Sequence, residues 1–281
     1  MNLLWFLRVR RLRWLLAILL LGSTAVIVLG PLVVTVLWSL IDPATGWFPP
    51  HLVPPRLSLH FWRKNLATGT IGDSTLLSFA VAALATLVCA GLALPTGYAL
   101  ARRPRRWHWI AEFLILAPIA VPGVAVASGL GALFIRWHMA YTVIGLALAH
   151  AVVLLPFMVR VVTATYQSIP QDLLDAASNL GASPAQLTVQ VLIPLLMPGL
   201  FAGGVFTFIG SFQEFVLSFI IGAPRLTTLP VRLWAVVGAQ APIFPDAAVL
   251  SIMVLIPIFL LLLLVESFLK QEYLAAGFGK L

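Results

Sequence analysis

The chain has 281 residues, 61% hydrophobic and 9% charged, with a formal net charge of +8. A soluble domain carries about 25% charged residues, so a water-soluble globular fold is excluded, and the long apolar runs point to a polytopic helical membrane protein. The ten-residue alternation of a transmembrane barrel is absent. The arginines cluster at the ends of apolar runs, where they set orientation and need no nucleic acid to explain them.

In chain order the sequence predicts six spans. Residues 1–13 form an N-terminal segment carrying Arg8, Arg10, Arg11 and Arg13, and the first span covers 14–41. That run is too long for the core of a signal peptide, and no small-x-small site closes it, so it reads as an uncleaved helix. Residues 42–73 read as a Pro- and Trp-rich external loop, with Ser74 expected to N-cap a second span over 75–100. Arg102, Arg103, Arg105 and Arg106 stop that span. The third covers 109–135, interrupted by Pro118 and Pro122-Gly123, and the fourth 142–165. A polar island follows over 168–194, then a fifth span over 194–221, a second external segment over 222–245, a sixth span over 247–268 and a tail over 269–281.

With the N-terminus inside, Arg8, Arg10, Arg11, Arg13, Arg102, Arg103, Arg105, Arg106, Arg160, Lys270 and Lys280 lie on the inner side. Arg56, Arg63, Lys64, Arg136, Arg225 and Arg232 lie outside. This asymmetry favours both termini in the cytoplasm and places the polar island there too. Pro95, Pro118, Pro122, Pro156, Pro198 and Pro257 fall inside spans, which fits helices bent around a pathway and equally fits the greater frequency of proline in membrane helices. The single cysteine, Cys89, excludes an intrachain disulfide and a cysteine-based metal site and reads as a packing residue.

The island is the most informative stretch. Pro170 suits the first turn of a helix, and Asp172 and Asp175 lie near its positive end. Gly181 can take the left-handed conformation that ends it. Ser183-Pro184 reads as an N-cap followed by proline at the first position of a second helix. Small Ala176 and Ala177 on an exposed helix let another protein approach closely.

Asp175-Ala176-Ala177, three residues, Gly181, nine residues and Val191-Leu192-Ile193-Pro194 together resemble the signature loop of type I ABC importer permeases of the binding-protein-dependent family. Asp175, Val191 and Ile193 depart from that family's Glu, Ile and Leu. Pro95 to Arg103, Ala117 to Val124, His150 with Leu155-Pro156-Phe157, and Gly210 to Val216 followed by Leu229-Pro230 and Trp234 are similar to the spermidine/putrescine-type subgroup. The resemblance covers roughly 73–268. It implies an all-α permease fold with six transmembrane helices and an ATP-driven importer working by alternating access. It further implies that Asp175, Ala176, Ala177, Gly181, Val191, Ile193 and Pro194 couple to an ATPase. The implied partners are two ATP-binding subunits carrying ATP-Mg, a second permease forming a heterodimer, and a periplasmic substrate-binding protein at a bacterial inner membrane.

Glu214 lies in the fifth span, where an ionisable group is costly and is usually turned inward or to water. It is a candidate pathway residue, with Gln213 and Ser211 able to share the task; pairing with a partner subunit is the alternative. His150 reads as a hydrogen-bonded core residue. No catalytic constellation is present and no G-x-x-x-x-G-K-[ST] phosphate loop occurs, so this chain binds no cofactor of its own and any ATPase is a separate chain. The expected cargo is a polyamine or a related small cation or zwitterion. Aminoalkylphosphonate, ferric iron and sugars are alternatives, as is an ATP-independent secondary transporter.

Overall fold

A computed structural model describes residues 3–102, 108–240 and 243–278. Arg103, Arg105, Arg106 and Lys280 fall outside these residues. The described chain is helical: α1 (Leu3–Ser39), α2 (His60–Ala67), α3 (Thr70–Arg102), α4 (His108–Ala120), α5 (Gly123–Arg136), α6 (Val143–Ser168), α7 (Gln171–Asn179), α8 (Pro184–Gln186), α9 (Ile193–Gln213), α10 (Leu229–Val237) and α11 (Phe244–Phe278). Five stretches are long and apolar enough to cross a membrane: Leu16–Ser39, Thr70–Arg102, Val143–Ser168, Pro184–Gln213 and Phe244–Ser267. The pair Trp109–Ala120 and Gly123–Arg136, bent by 101°, makes a sixth when counted as one span. Six expected spans therefore correspond to five continuous helices and one broken pair.

Pro95, Pro118, Pro156, Pro198 and Pro257 all lie inside continuous helices. Only Pro122 coincides with the sharp bend, where it precedes α5 with ψ 131°. The lost donor at Pro194 is accommodated differently, because the turn before it widens into a π-helix over Leu187–Leu192. Pro194 therefore does not open the fifth span; one helical stretch runs from Pro184 to Gln213.

The chain divides into two compact units. The first comprises residues 1–68 and 236–253. Here α1 is apolar with none of its spanning window buried, as suits a surface presented to lipid or to another apolar helix. The expected external loop 42–73 contains α2, whose Asn65 amide donates to Asp246 at 2.7 Å, while Lys64 Nζ pairs with the same carboxylate at 2.6 Å. Phe61 and Asn65, four residues apart, share the buried face of this short helix.

The second unit comprises residues 69–235 and 254–281. Its centre is α6, which packs on α3 and α9. Small residues allow that approach: a Cβ on Gly97 would meet Val162 Cγ1 at 2.8 Å and Thr163 N at 3.2 Å. In a membrane, where lipid is as apolar as leucine, such close van der Waals contact holds helices together. Cys89 is fully buried among these residues, its thiol 3.6 Å from the Ala151 carbonyl.

Ser74 is not the N-cap of the second span. The helix starts at Thr70, and Ser74 is buried inside it, accepting from Arg232 Nε at 2.9 Å. Within the expected external segment 222–245, α10 occupies the middle, with Pro230 in the first turn where a missing donor costs nothing.

Candidate functional site: an exposed helical hairpin and a broken span

The polar island folds as a helix, a glycine turn and a second helix start. Pro170 precedes α7 with ψ 136°, and Asp172 lies in the first turn. At the other end Gly181 has φ +87°. Its N–H donates to the Ser178 carbonyl at 3.0 Å, and the Ala182 N–H to the Ala177 carbonyl at 3.2 Å. This paired arrangement satisfies the last carbonyls of α7 and needs a left-handed residue at position 181. Ser183 then caps α8 reciprocally: its hydroxyl accepts from the Gln186 N–H at 3.3 Å, and the Gln186 side chain accepts from the Ser183 N–H at 2.8 Å.

One face of the hairpin is seated. Ile169, Leu174 and Leu192 are buried with Val162, Tyr166 and Leu196, and Leu187 and Val191 pack against them. The other face is open. Asp175 and Ala176 are exposed, Ala177 and Ile193 are half-buried, and Gly181 and Pro194 are exposed. Leu180 stands 90% exposed at the tip. Of the residues singled out in the island, Asp175, Ala176 and Gly181 thus share the open side of the hairpin, whereas Val191 belongs to its seat.

Arg102, read from the sequence as a stop to the second span and as one of the inner-side charges, is the main polar tie to this hairpin. Its Nη2 donates to the carbonyls of Tyr166 at 3.0 Å and Ile169 at 2.6 Å, and its Nη1 to Gln171 Oε1 at 3.0 Å. Gln171 Nε2 in turn donates to Asp175 Oδ1 at 3.0 Å. A sequence signal existed: Tyr98 and Arg102 are four apart on one helix face, and Tyr98 packs edge-on against Tyr166 with ring centroids 5.6 Å apart.

The pathway candidates separate. The fifth span does not continue through Glu214; α9 ends at Gln213, and residues 214–215 are non-helical before helix resumes. Glu214 Oε1 accepts from the Leu217 N–H at 3.0 Å, so its carboxylate caps the segment after the break. Gln213 is exposed. Ser211 is buried and bonded to His150 Nδ1 at 2.8 Å, while His150 Nε2 meets Ser218 Oγ at 3.1 Å. His150 therefore ties together the two sides of the break as a core residue, and Ser211 faces it. Elsewhere in this unit, Glu112 and Arg160 line a cavity of about 250 Å³ formed by residues of α3, α4 and α6.

The described residues thus combine helices of membrane-spanning length with an exposed hairpin seated on their packed core. Residues 93–272 match the family described as "Binding-protein-dependent transport system inner membrane component", and the chain belongs to that family. It is 27% identical over 201 residues to the sulfoquinovosyl glycerol transport system permease protein of Agrobacterium fabrum, covering 71% of this chain and 70% of that protein. It is 25% identical over 254 residues to the putrescine transport system permease protein of Escherichia coli, covering 86% and 85%. In fold it is similar to a chain from the crystal structure of a bacterial ABC transporter involved in the import of the acidic polysaccharide alginate, with TM-score 0.76, 16% identity, and 93% and 98% of the two chains covered.

Proposed function

We propose that this chain is a membrane subunit of an ATP-driven importer and that the hairpin over 168–194 is where a separate ATPase docks. The observation carrying this reading is the combination of an open α7 face with an apolar seat: Leu174 anchors the helix while Asp175, Ala176 and Leu180 are presented outward. Two ATP-binding subunits holding ATP-Mg would press on this face, and the seat would pass the movement to α3, α6 and α9. Alternating access follows when those helices rock together. The chain acts beside a second, different permease and receives cargo from a periplasmic binding protein at the bacterial inner membrane, with both termini and the hairpin in the cytoplasm. The arginine and lysine asymmetry supports that orientation.

The favoured cargo is a polyamine or a related small cation or zwitterion. Its support is Glu214, a half-buried carboxylate at the break of a span with one oxygen engaged by the Leu217 N–H, together with the likeness to a putrescine permease. Importers of a sugar, aminoalkylphosphonate or ferric iron are the alternatives, the first supported by the sulfoquinovosyl glycerol relative. The test is uptake of radiolabelled putrescine into proteoliposomes holding this chain, its second permease and the ATPase, with binding protein outside. Uptake requiring both ATP and binding protein is expected. ATP-dependent uptake of an anionic sugar instead would move the cargo and keep the permease. Uptake driven by an ion gradient without the ATPase would overturn the reading.

A further inference from the structure

We infer that Arg102 is the positioning residue that makes the α7 hairpin move as one body with α3 and α6, an inference that rests on α7 being the ATPase docking element. The guanidinium sits in the last turn of α3, yet its three hydrogen bonds all leave that helix. Two go to carbonyls at the negative end of α6: that of Tyr166, which also accepts from the Ile169 N–H at 3.3 Å, and that of Ile169, the residue that caps the helix. The third goes to Gln171, the first residue of α7, and through it to Asp175 on the open face. A continuous polar chain therefore runs from a membrane-spanning helix to the surface that would take the load.

Geometry makes the tie stiff. Gly97 lets α3 and α6 approach until a Cβ would clash, and the edge-on Tyr98–Tyr166 pair lies one turn before Arg102. The guanidinium is planar, so its two Nη groups are directed at different elements at once. A lysine offers a single ammonium on a flexible stem and cannot hold both helix ends and Gln171 in the same way. Burial of Leu174 seats α7, but apolar contact alone permits sliding; the directional bonds of Arg102 fix its register.

The experiment uses the assembled complex in nanodiscs, with Cys89→Ala and nitroxide labels at Leu92→Cys on α3 and Asn179→Cys on α7. Distances are measured by pulsed electron resonance without nucleotide and after trapping with ATP and vanadate. With Arg102 present, one narrow distance is expected in both states. Each charge-assisted bond lost is expected to raise the undocked α7 population about tenfold, so Arg102→Ala broadens or splits the distance on trapping while ATP hydrolysis continues. Arg102→Lys falls between. A narrow, unchanged distance in Arg102→Ala overturns the inference, and so does a variant that fails to assemble, since Arg102 would then serve folding only. Failure of the ATPase to assemble on the unsubstituted chain would instead overturn the docking reading itself.

Discussion

Gly181 offers the sharpest perturbation, because its constraint is conformational and free of packing. Its φ is +87°, and nothing lies within 4 Å of where a Cβ would sit. A substitution there meets no clash and is felt only through the backbone. Forcing an ordinary residue into the left-handed region costs about 1–2 kcal/mol, and a β-branched one about 2–3 kcal/mol. The two turn bonds at Ser178 and Ala177 are the interactions that hold the turn closed. A Gly181→Val change should thus shift the ratio of formed to opened turn by about 30- to 150-fold, whereas Gly181→Asn, which tolerates left-handed geometry, should lose far less. Gly181→Ala falls between. ATP-dependent uptake in proteoliposomes, normalised to inserted protein, should follow the order Gly, Asn, Ala, Val. Uptake by Gly181→Val equal to that of the unsubstituted chain, or an Asn variant as impaired as Val, would mean that uptake does not depend on the left-handed turn at Gly181.

Three further outcomes follow from the same geometry. Glu214→Gln keeps an acceptor for the Leu217 N–H but removes the charge, so the fold should persist while uptake of a cationic substrate falls roughly tenfold, the effect of losing one close charge contact; unchanged transport kinetics would remove Glu214 from the pathway. Gly97→Leu should push α3 from α6 and cost about 1–3 kcal/mol by overpacking, seen as earlier thermal unfolding in detergent. Asp246→Ala leaves Lys64 and Asn65 without their shared acceptor. Because the Lys64 side chain is 45% exposed, the cost should be modest, about 1–2 kcal/mol, read as faster proteolysis around α2.

Apolar runs are long and unambiguous, so the number and order of membrane helices were legible from the sequence, and so was the hairpin, because Pro170, Gly181 and Ser183 each carry a specific backbone demand. What escaped were features made by contacts distant in sequence. Ser74 looks like a cap because it is polar beside an apolar run, yet it is buried as the acceptor for Arg232, 158 residues away. The break at Glu214 has no proline or glycine to announce it; it depends on the carboxylate capturing a backbone N–H and on His150 reaching residues on both sides. Arg102 is hidden beside Arg103, Arg105 and Arg106, whose shared charge suggests only a stop to the span and an orientation. Helices α2 and α10 are short, and their Pro- and Trp-rich surroundings mask the few residues that repeat at helical spacing.

Docking of an ATPase on the open face of α7 can be read by site-specific photo-crosslinking. A photoreactive residue placed at Ala176 or Leu180 in the membrane-embedded complex should form an adduct with a protein that carries a phosphate-binding loop, identified by mass spectrometry. The same residue at Leu21, on the exposed apolar face of α1, should form none. An ATPase adduct is expected from the two hairpin positions and not from Leu21; no ATPase adduct from either hairpin position, in a complex shown to contain the ATPase, would mean that the ATPase docks elsewhere.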